Sequence, residues 1–285
     1  MKKVLFIALL TLAVAAAASC AGGGDGADTL PPVKVIGVNE DEKLSSTLVR
    51  DGFSLNIYVT YSEITGYSGT ETTVTLPESA AGVPVRKIGE NAFKNNGKLE
   101  KVVFSKNIRI VDRFAFDGCS ALREAVLNEG LETIEDYAFR NTALRKCDLP
   151  GTVASLGKYC FYAADLREVV IPDSVSTVGK YCYYANGNLT SVTFGRRMTG
   201  IAENMFYNCS SLVVTEIPEN IQKIESYAFR GCVSIGRLEV SDRTASIGDG
   251  AFYGCTNVTL VGSEGSAILK YARDNGIACE ARAAE

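Results

Sequence analysis

The sequence predicts a mostly β repeat solenoid, and three observations predict it. An aromatic anchor recurs at Phe93, Phe116, Phe139, Phe161, Tyr183, Phe206, Phe229 and Phe252, in steps of 22 or 23 residues. Five residues before each anchor stands an aliphatic residue: Ile88, Val111, Ile134, Leu156, Val178, Ile201, Ile224 and Ile247. After the anchor comes a segment with spaced apolar residues, seen most plainly in Leu166, Val169 and Ile171 before Pro172. A period in the low twenties signals a stacked array, because no single copy can bury its apolar face alone. Eight registered copies predict about eight rungs of 22–23 residues with short helical turns.

Taken in chain order, the first element is a leader. Met1, Lys2 and Lys3 precede an apolar run over residues 4–18, which is too short to span a bilayer and reads as a signal peptide over 1–19. Its end, Ala17-Ala18-Ser19-Cys20, resembles the lipobox of bacterial lipoproteins, which implies that Cys20 is acylated and anchors the chain. The small residues at 15–18 also suit ordinary signal peptidase, whose product would be freely secreted. Residues 20–30, rich in Gly and Asp, read as a flexible tether. Losing the leader removes two of the 29 basic residues and no acid, so the formal charge moves from −4 to −6. An acidic domain lacks the basic footprint of a nucleic-acid binder, so no such partner is expected. No later segment is long and apolar enough to cross a bilayer, which leaves the lipid as the expected membrane contact.

Residues 31–85 form an N-terminal β region and cap. The alternation of Leu55, Ile57, Val59 and Tyr61 predicts a strand over 55–61 that closes this end of the stack. Closure is needed because an open end exposes core and unpaired backbone. Residues 31–51 show no clear pattern. The solenoid proper covers 86–261, where Leu99, Val102 and Phe104, or Leu189, Val192 and Phe194, fall on one side of an extended segment. The anchors and the aliphatic row then enclose one narrow core. Residues 262–285 form a C-terminal cap and tail, with a helix over 266–275 that Ser266 can cap and Gly276 can stop.

These residues carry a family likeness. The repeated Ala-Phe and Ile-Pro positions, the opening Ile64-Thr65-Gly66-Tyr67 with Leu76-Pro77, and the closing Gly262-Ser263-Glu264-Gly265-Ser266 resemble the BspA-like (Treponema-type) leucine-rich-repeat surface proteins. The resemblance spans roughly residues 52–279 and implies a leucine-rich-repeat stack. It further implies an adhesive or ligand-binding role, with partners that differ from protein to protein.

Chemistry is sparse in this composition. Histidine is absent, which removes the commonest general base and the commonest metal ligand. No phosphate-cradling Gly-rich loop occurs outside the tether. No catalytic residue, cofactor or metal is therefore expected, and the chain is read as not an enzyme. Of the eight cysteines beyond Cys20, Cys119, Cys209, Cys232 and Cys255 stand three residues after the anchor, and Cys160 and Cys182 one before it. They read as small buried residues stacked in rows, with no C-x-x-C pair to suggest zinc. An exported chain also permits one or two disulfides between stacked neighbours such as Cys209 and Cys232.

A repeat multiplies any surface residue into a column, so columns are the candidate sites. The residue after the anchor is Tyr162, Tyr184, Tyr207, Arg230 and Tyr253 in later rungs. Earlier rungs have Lys94, Asp117 and Arg140 there, which predicts a surface position. Tyr and Arg are the composition of binding hot spots. A second candidate is Arg123, Arg145 and Arg167, alongside Glu100, Lys101, Glu124, Lys146 and Glu168; the alternating signs also suit a solvated salt-bridge ladder. Tyr137, Tyr159, Tyr181 and Tyr227 are assigned to packing between turns. The expected role is a surface-exposed, lipid-anchored and monomeric binding module, an adhesin for a host or bacterial surface protein or glycan. The alternative is a passive envelope scaffold.

Overall fold

The computed structural model describes residues 44–282. The leader, Cys20, the tether and the first part of the 31–85 region lie outside the described residues. Strand β1 (Ser46–Arg50) pairs antiparallel with β2 (Phe53–Ile57) across Asp51-Gly52. Both turn residues have positive φ, 51° and 80°, the backbone of the tight hairpin turn that Asp-Gly favours. Within β2, Phe53, Leu55 and Ile57 are buried, while Ser54 and Asn56 face outward. The strand expected over 55–61 thus starts earlier and ends at Ile57, because the chain reverses there. Tyr58 N–H donates to the Tyr61 carbonyl at 2.9 Å, and the two rings stack at 4.5 Å.

Strand β3 (Ser62–Tyr67) is antiparallel to β2 but parallel to Val83–Ile88, and so hands the hairpin over to the solenoid. From there three backbone ladders run between rungs. The first joins Ile88, Val111, Ile134, Leu156 and Val178 in parallel register, then resumes through Ile201, Ile224 and Ile247. The second joins Thr73–Thr75, Lys101–Val103 and Glu124–Val126, then Glu168–Val170 with Ser191–Thr193, then four strands ending at Ala278–Ala281. The third runs through the anchor turns: Phe93 N–H reaches Ala115 O, Phe116 reaches Ala138 O, and Phe139 reaches Cys160 O, each at 2.8 Å.

Side chains fill the space between these ladders. The eight anchor rings stack with centroids 4.9 to 5.7 Å apart and planes within 16° of parallel. All eight are buried. Each such ring stabilises the fold by about 1.5–3 kcal/mol from burial alone, and stacking adds roughly 0.5–1.5 kcal/mol per pair. Tyr67 covers the first ring at 5.3 Å and Tyr271 covers the last at 6.1 Å, edge-on.

The stack has about ten turns, not the eight expected. The extra turns, around Val74 and around 278–281, carry no Phe of their own and so escape a count of anchors. At the C-terminal end the predicted helix is present as α1 (Ala267–Asp274), with Ile268, Leu269 and Ala272 buried, and Gly276 beyond it at φ 65°. Ser266 stands at the N-cap, yet its hydroxyl is buried and bonds no helix N–H. What was expected as a tail is in part a strand: Ala278–Ala281 pairs in parallel with Thr259–Gly262.

Among the described residues the eight cysteines are free thiols, six of them buried. Cys119, Cys209, Cys232 and Cys255 each donate to the carbonyl of the anchor one rung back, Phe93, Tyr183, Phe206 and Phe229, at 3.0 to 3.2 Å. The thiol is thus a second donor to a buried carbonyl, beside the backbone N–H of Asn96, Cys209 and Cys232 at Phe93, Phe206 and Phe229. The Asn186 amide donates to the Phe161 carbonyl and shares the Tyr183 carbonyl with Cys209.

Candidate functional site

The anchor turn that builds the core also builds the candidate site on its outer side. Two residues before and two after each anchor, the backbone is left-handed. The first row is Asn91, Phe114, Tyr137, Tyr159, Tyr181, Asn204, Tyr227 and Gly250, and the second runs from Asn95 to Gly254. Such φ values disfavour bulky side chains. Here they turn alternate N–H groups toward the next rung, so that Tyr137, Phe139 and Asn141 donate to Lys158, Cys160 and Tyr162.

The five candidate residues sit together on this face. Tyr162, Tyr184 and Tyr207 stack at 4.9 and 4.7 Å, half-buried. The Arg230 guanidinium lies over Tyr207 at 4.9 Å and over Tyr253 at 5.0 Å, so it is held between two rings. Tyr253 is 65% exposed and borders a cavity of about 210 Å³ shared with Tyr271, Asn275 and Ile277. Burial first, then the neighbouring Tyr207 and Tyr162, raises the Tyr184 phenol above its ordinary range, so it stays a hydrogen-bond donor.

The row expected only to pack between turns belongs to the same surface. Phe114, Tyr137, Tyr159 and Tyr181 stack at 4.5 to 4.9 Å, half-buried and not sealed. They touch the row of candidate residues with tilted rings at Tyr159–Tyr162 (6.0 Å) and Tyr181–Tyr184 (5.9 Å). Arg230 also covers Tyr227 at 5.5 Å, and that ring lies against Gly250, where an added Cβ would meet it at 2.5 Å. The sequence signal for this joining is the three-residue spacing of 159/162, 181/184 and 227/230.

One expectation fails in the earlier rungs. Asp117 occupies the same column but is buried, with its carboxylate held by Arg140 of the next rung at 2.8 and 2.9 Å and by Lys94 of the previous rung at 3.8 Å. A cation from each neighbour replaces water, which lets a charged residue leave the surface.

The second candidate column is exposed at Arg123, Arg145 and Arg167. Arg145 pairs weakly with Asp165 at 3.9 Å, while the adjacent column pairs Lys101 with Glu124 and Lys146 with Asp148 at 2.8 and 2.9 Å. Exposed pairs of this kind contribute about 0–1 kcal/mol each. Sheet pairing is broken beside them, with a single bridge joining Glu124 to Lys146. The break opens a groove of about 680 Å³ lined by Arg123, Arg145, Glu129, Asp148 and Val126. Charges of both signs stand beside the arginines, and one pair, Lys101 with Glu124, runs along the adjacent column. Among the described residues no group of His, Cys, Asp or Glu could hold a metal ion, and no helix is long and apolar enough to cross a membrane.

A single core walled by parallel ladders and paved by one aromatic per rung defines a leucine-rich-repeat solenoid. The profile of the BspA type leucine rich repeat region matches residues 86–213 and 133–259, with six copies, and the chain belongs to that family. Among solved structures, a leucine-rich repeat protein of Treponema pallidum is 24% identical, over 84% of this chain and 100% of that one, with a TM-score of 0.58. A leucine-rich repeat protein from Bacteroides ovatus is 20% identical, over 81% of this chain and 66% of that one, with a TM-score of 0.67. Both likenesses concern the fold. No curated protein matches the sequence.

Proposed function

We propose that this chain is an exported binding module, held on a membrane through acylated Cys20, that presents the strip of Tyr162, Tyr184, Tyr207, Arg230 and Tyr253 to an extracellular protein or glycan. The observation that carries this reading is the continuity of the strip. Aromatic rings and a guanidinium stack over five successive rungs on one face, where a merely soluble solenoid would gain more from scattered charge. Rings already stacked lose little further freedom on binding, so contact with them is efficient. Tyr162, Tyr184 and Tyr207 spend their faces on one another, which leaves ring edges and hydroxyls for a ligand lying along the stack. The face of an insertion platform is wanting there, and the role is recognition instead of chemistry.

Two measurements test the reading. The purified chain is passed over immobilised extracellular-matrix proteins and a glycan panel, and retention by at least one of them is expected; retention by none would leave a passive scaffold. A Cys20→Ala variant is expected to lose its lipid and move from the membrane to the soluble or secreted fraction, and unchanged partition would remove the anchor.

A further inference from the structure

The thiols of Cys160 and Cys182 lie 3.3 Å apart in the core, both fully buried. They hold the same position in adjacent rungs, immediately before the anchors Phe161 and Tyr183. Phe161 N–H donates to the Cys182 carbonyl at 2.9 Å, and the two anchor rings stack with planes 4° apart, so the rungs are in strict register here. Stacked rungs put equivalent Cα atoms about 4.8 Å apart, inside the roughly 4.4–6.8 Å range that a disulfide spans. Closing the sulfurs therefore needs side-chain rotation and little backbone movement.

We propose that Cys160 and Cys182 form an intrachain disulfide as the chain folds in an oxidising compartment, and that the bond clamps together the two rungs that lie between the breaks in the strand ladders. Other cysteines are placed differently. Cys119, Cys209, Cys232 and Cys255 are engaged with carbonyls of the preceding rung, Cys279 lies on the strand Ala278–Ala281, and Cys147 follows the isolated bridge at Lys146. The loop that the bond encloses contains Glu168–Val170 and Thr177–Val178. The first begins a new sheet and the second ends an old one, so the tied rungs pair with each other in both strand ladders, while one ladder breaks before them and the other after them. Solenoid stability is carried by nearest-neighbour interfaces, and a covalent tie here holds as one block two rungs that have a broken ladder on either side.

The chemistry is thiol–disulfide exchange. One cysteine, as thiolate, attacks the disulfide of a low-molecular-weight or enzyme oxidant and displaces one of its thiols. The second cysteine then attacks this mixed disulfide and expels the other thiol. The two cysteines lose two protons and two electrons, and the oxidant is reduced to two thiols. Burial, then the neighbouring Cys182, pushes the Cys160 thiol well above its ordinary range, so thiolate is scarce once the core has closed. The bond accordingly forms during folding, before the rung is sealed.

The test refolds the reduced full chain in a mixture of reduced and oxidised glutathione, alkylates it in denaturant without reductant, and maps tryptic peptides by mass. Peptides 159–167 and 181–196 are expected joined, two hydrogens lighter than their sum. A Cys182→Ala variant is a fair control, because the same position is Ala115, Ala138, Ala228 and Ala251 in other rungs and Ala therefore fits. The bridged chain is expected to melt roughly 5–10 °C above that variant. Recovery of both peptides separately alkylated, or of Cys160 joined to Cys147, overturns the proposal. A bond with no rise in melting temperature overturns the clamp.

Discussion

The guanidinium of Arg140 clamps the buried carboxylate of Asp117, one rung away, through two parallel hydrogen bonds of 2.8 and 2.9 Å. The same guanidinium lies over the Tyr137 ring at 5.1 Å, so one side chain ends an ion-pair network and begins the aromatic surface. Removing it leaves Asp117 buried with only Lys94, at 3.8 Å. Arg140→Ala is expected to cost about 2–4 kcal/mol in denaturant unfolding. Arg140→Lys should recover little of that, because an ammonium lacks the planar fork. A loss below about 0.5 kcal/mol, the scale of an exposed pair, would mean that the clamp is not formed.

Phe139 and Phe161 stack at 5.5 Å, fully enclosed, in the middle of the core. Replacing either with Ala is expected to cost roughly 3–5 kcal/mol. Rungs depend on their neighbours, so a central cavity should also divide one melting transition into two. Circular dichroism on heating reads both effects. Variants that melt like the parent would show that the rungs are registered differently.

Why some elements were legible and others not follows from where their structure comes from. Phe139 and Ile134 repeat because every rung must fill the same volume, and a volume requirement leaves a periodic mark. Ala278–Ala281 has no strand pattern of its own; it is extended because Thr259–Gly262 offers it a partner. Tyr159 at φ 56° contradicts its own propensity and is held by a hydrogen bond to Lys180 and rings on both sides. The burial of Asp117 depends on Arg140, 23 residues away, and no local reading could supply it. The candidate column itself was readable, because one tyrosine per rung repeats at a fixed offset from the anchor. Its merger with the Tyr159 row was not, since that depends on how the turn is twisted.

Tyr183 takes the place of Phe in the anchor stack, and its hydroxyl is buried without a hydrogen-bond partner. Burial, followed by the neighbouring Cys182 and Cys160, pushes the phenol well above its ordinary range. An unsatisfied buried hydroxyl costs about 1–3 kcal/mol. Tyr183→Phe restores the repeat's own residue and is expected to stabilise the fold by roughly 1–2 kcal/mol. Equilibrium unfolding of the two proteins side by side measures it. A variant less stable than the parent would mean that the hydroxyl has a partner, such as a bound water, that offsets its burial.

The strip itself calls for substitutions that separate recognition from packing. Tyr162, Tyr184 and Tyr207 stack at 4.7 to 4.9 Å, so truncating all three removes mutual support as well as surface. Two stacked contacts at roughly 0.5–1.5 kcal/mol each set the scale of that loss. Replacing the three with Phe keeps the stack and removes only the hydroxyls that point outward. Tyr253 is mostly exposed and contributes little to the core, so Tyr253→Ser is expected to leave the melting temperature within about 1 °C, the scale of a surface change below 0.5 kcal/mol. Against whichever matrix protein or glycan retains the parent, the triple Phe variant combined with Tyr253→Ser is expected to lose at least tenfold in affinity, about 1.4 kcal/mol. Unchanged melting with unchanged affinity would move the site to the groove beside Arg123 and Arg145. A collapse in stability from the hydroxyl changes alone would return the strip to a purely structural role, since only a fold that leans on those hydroxyls could fail without them.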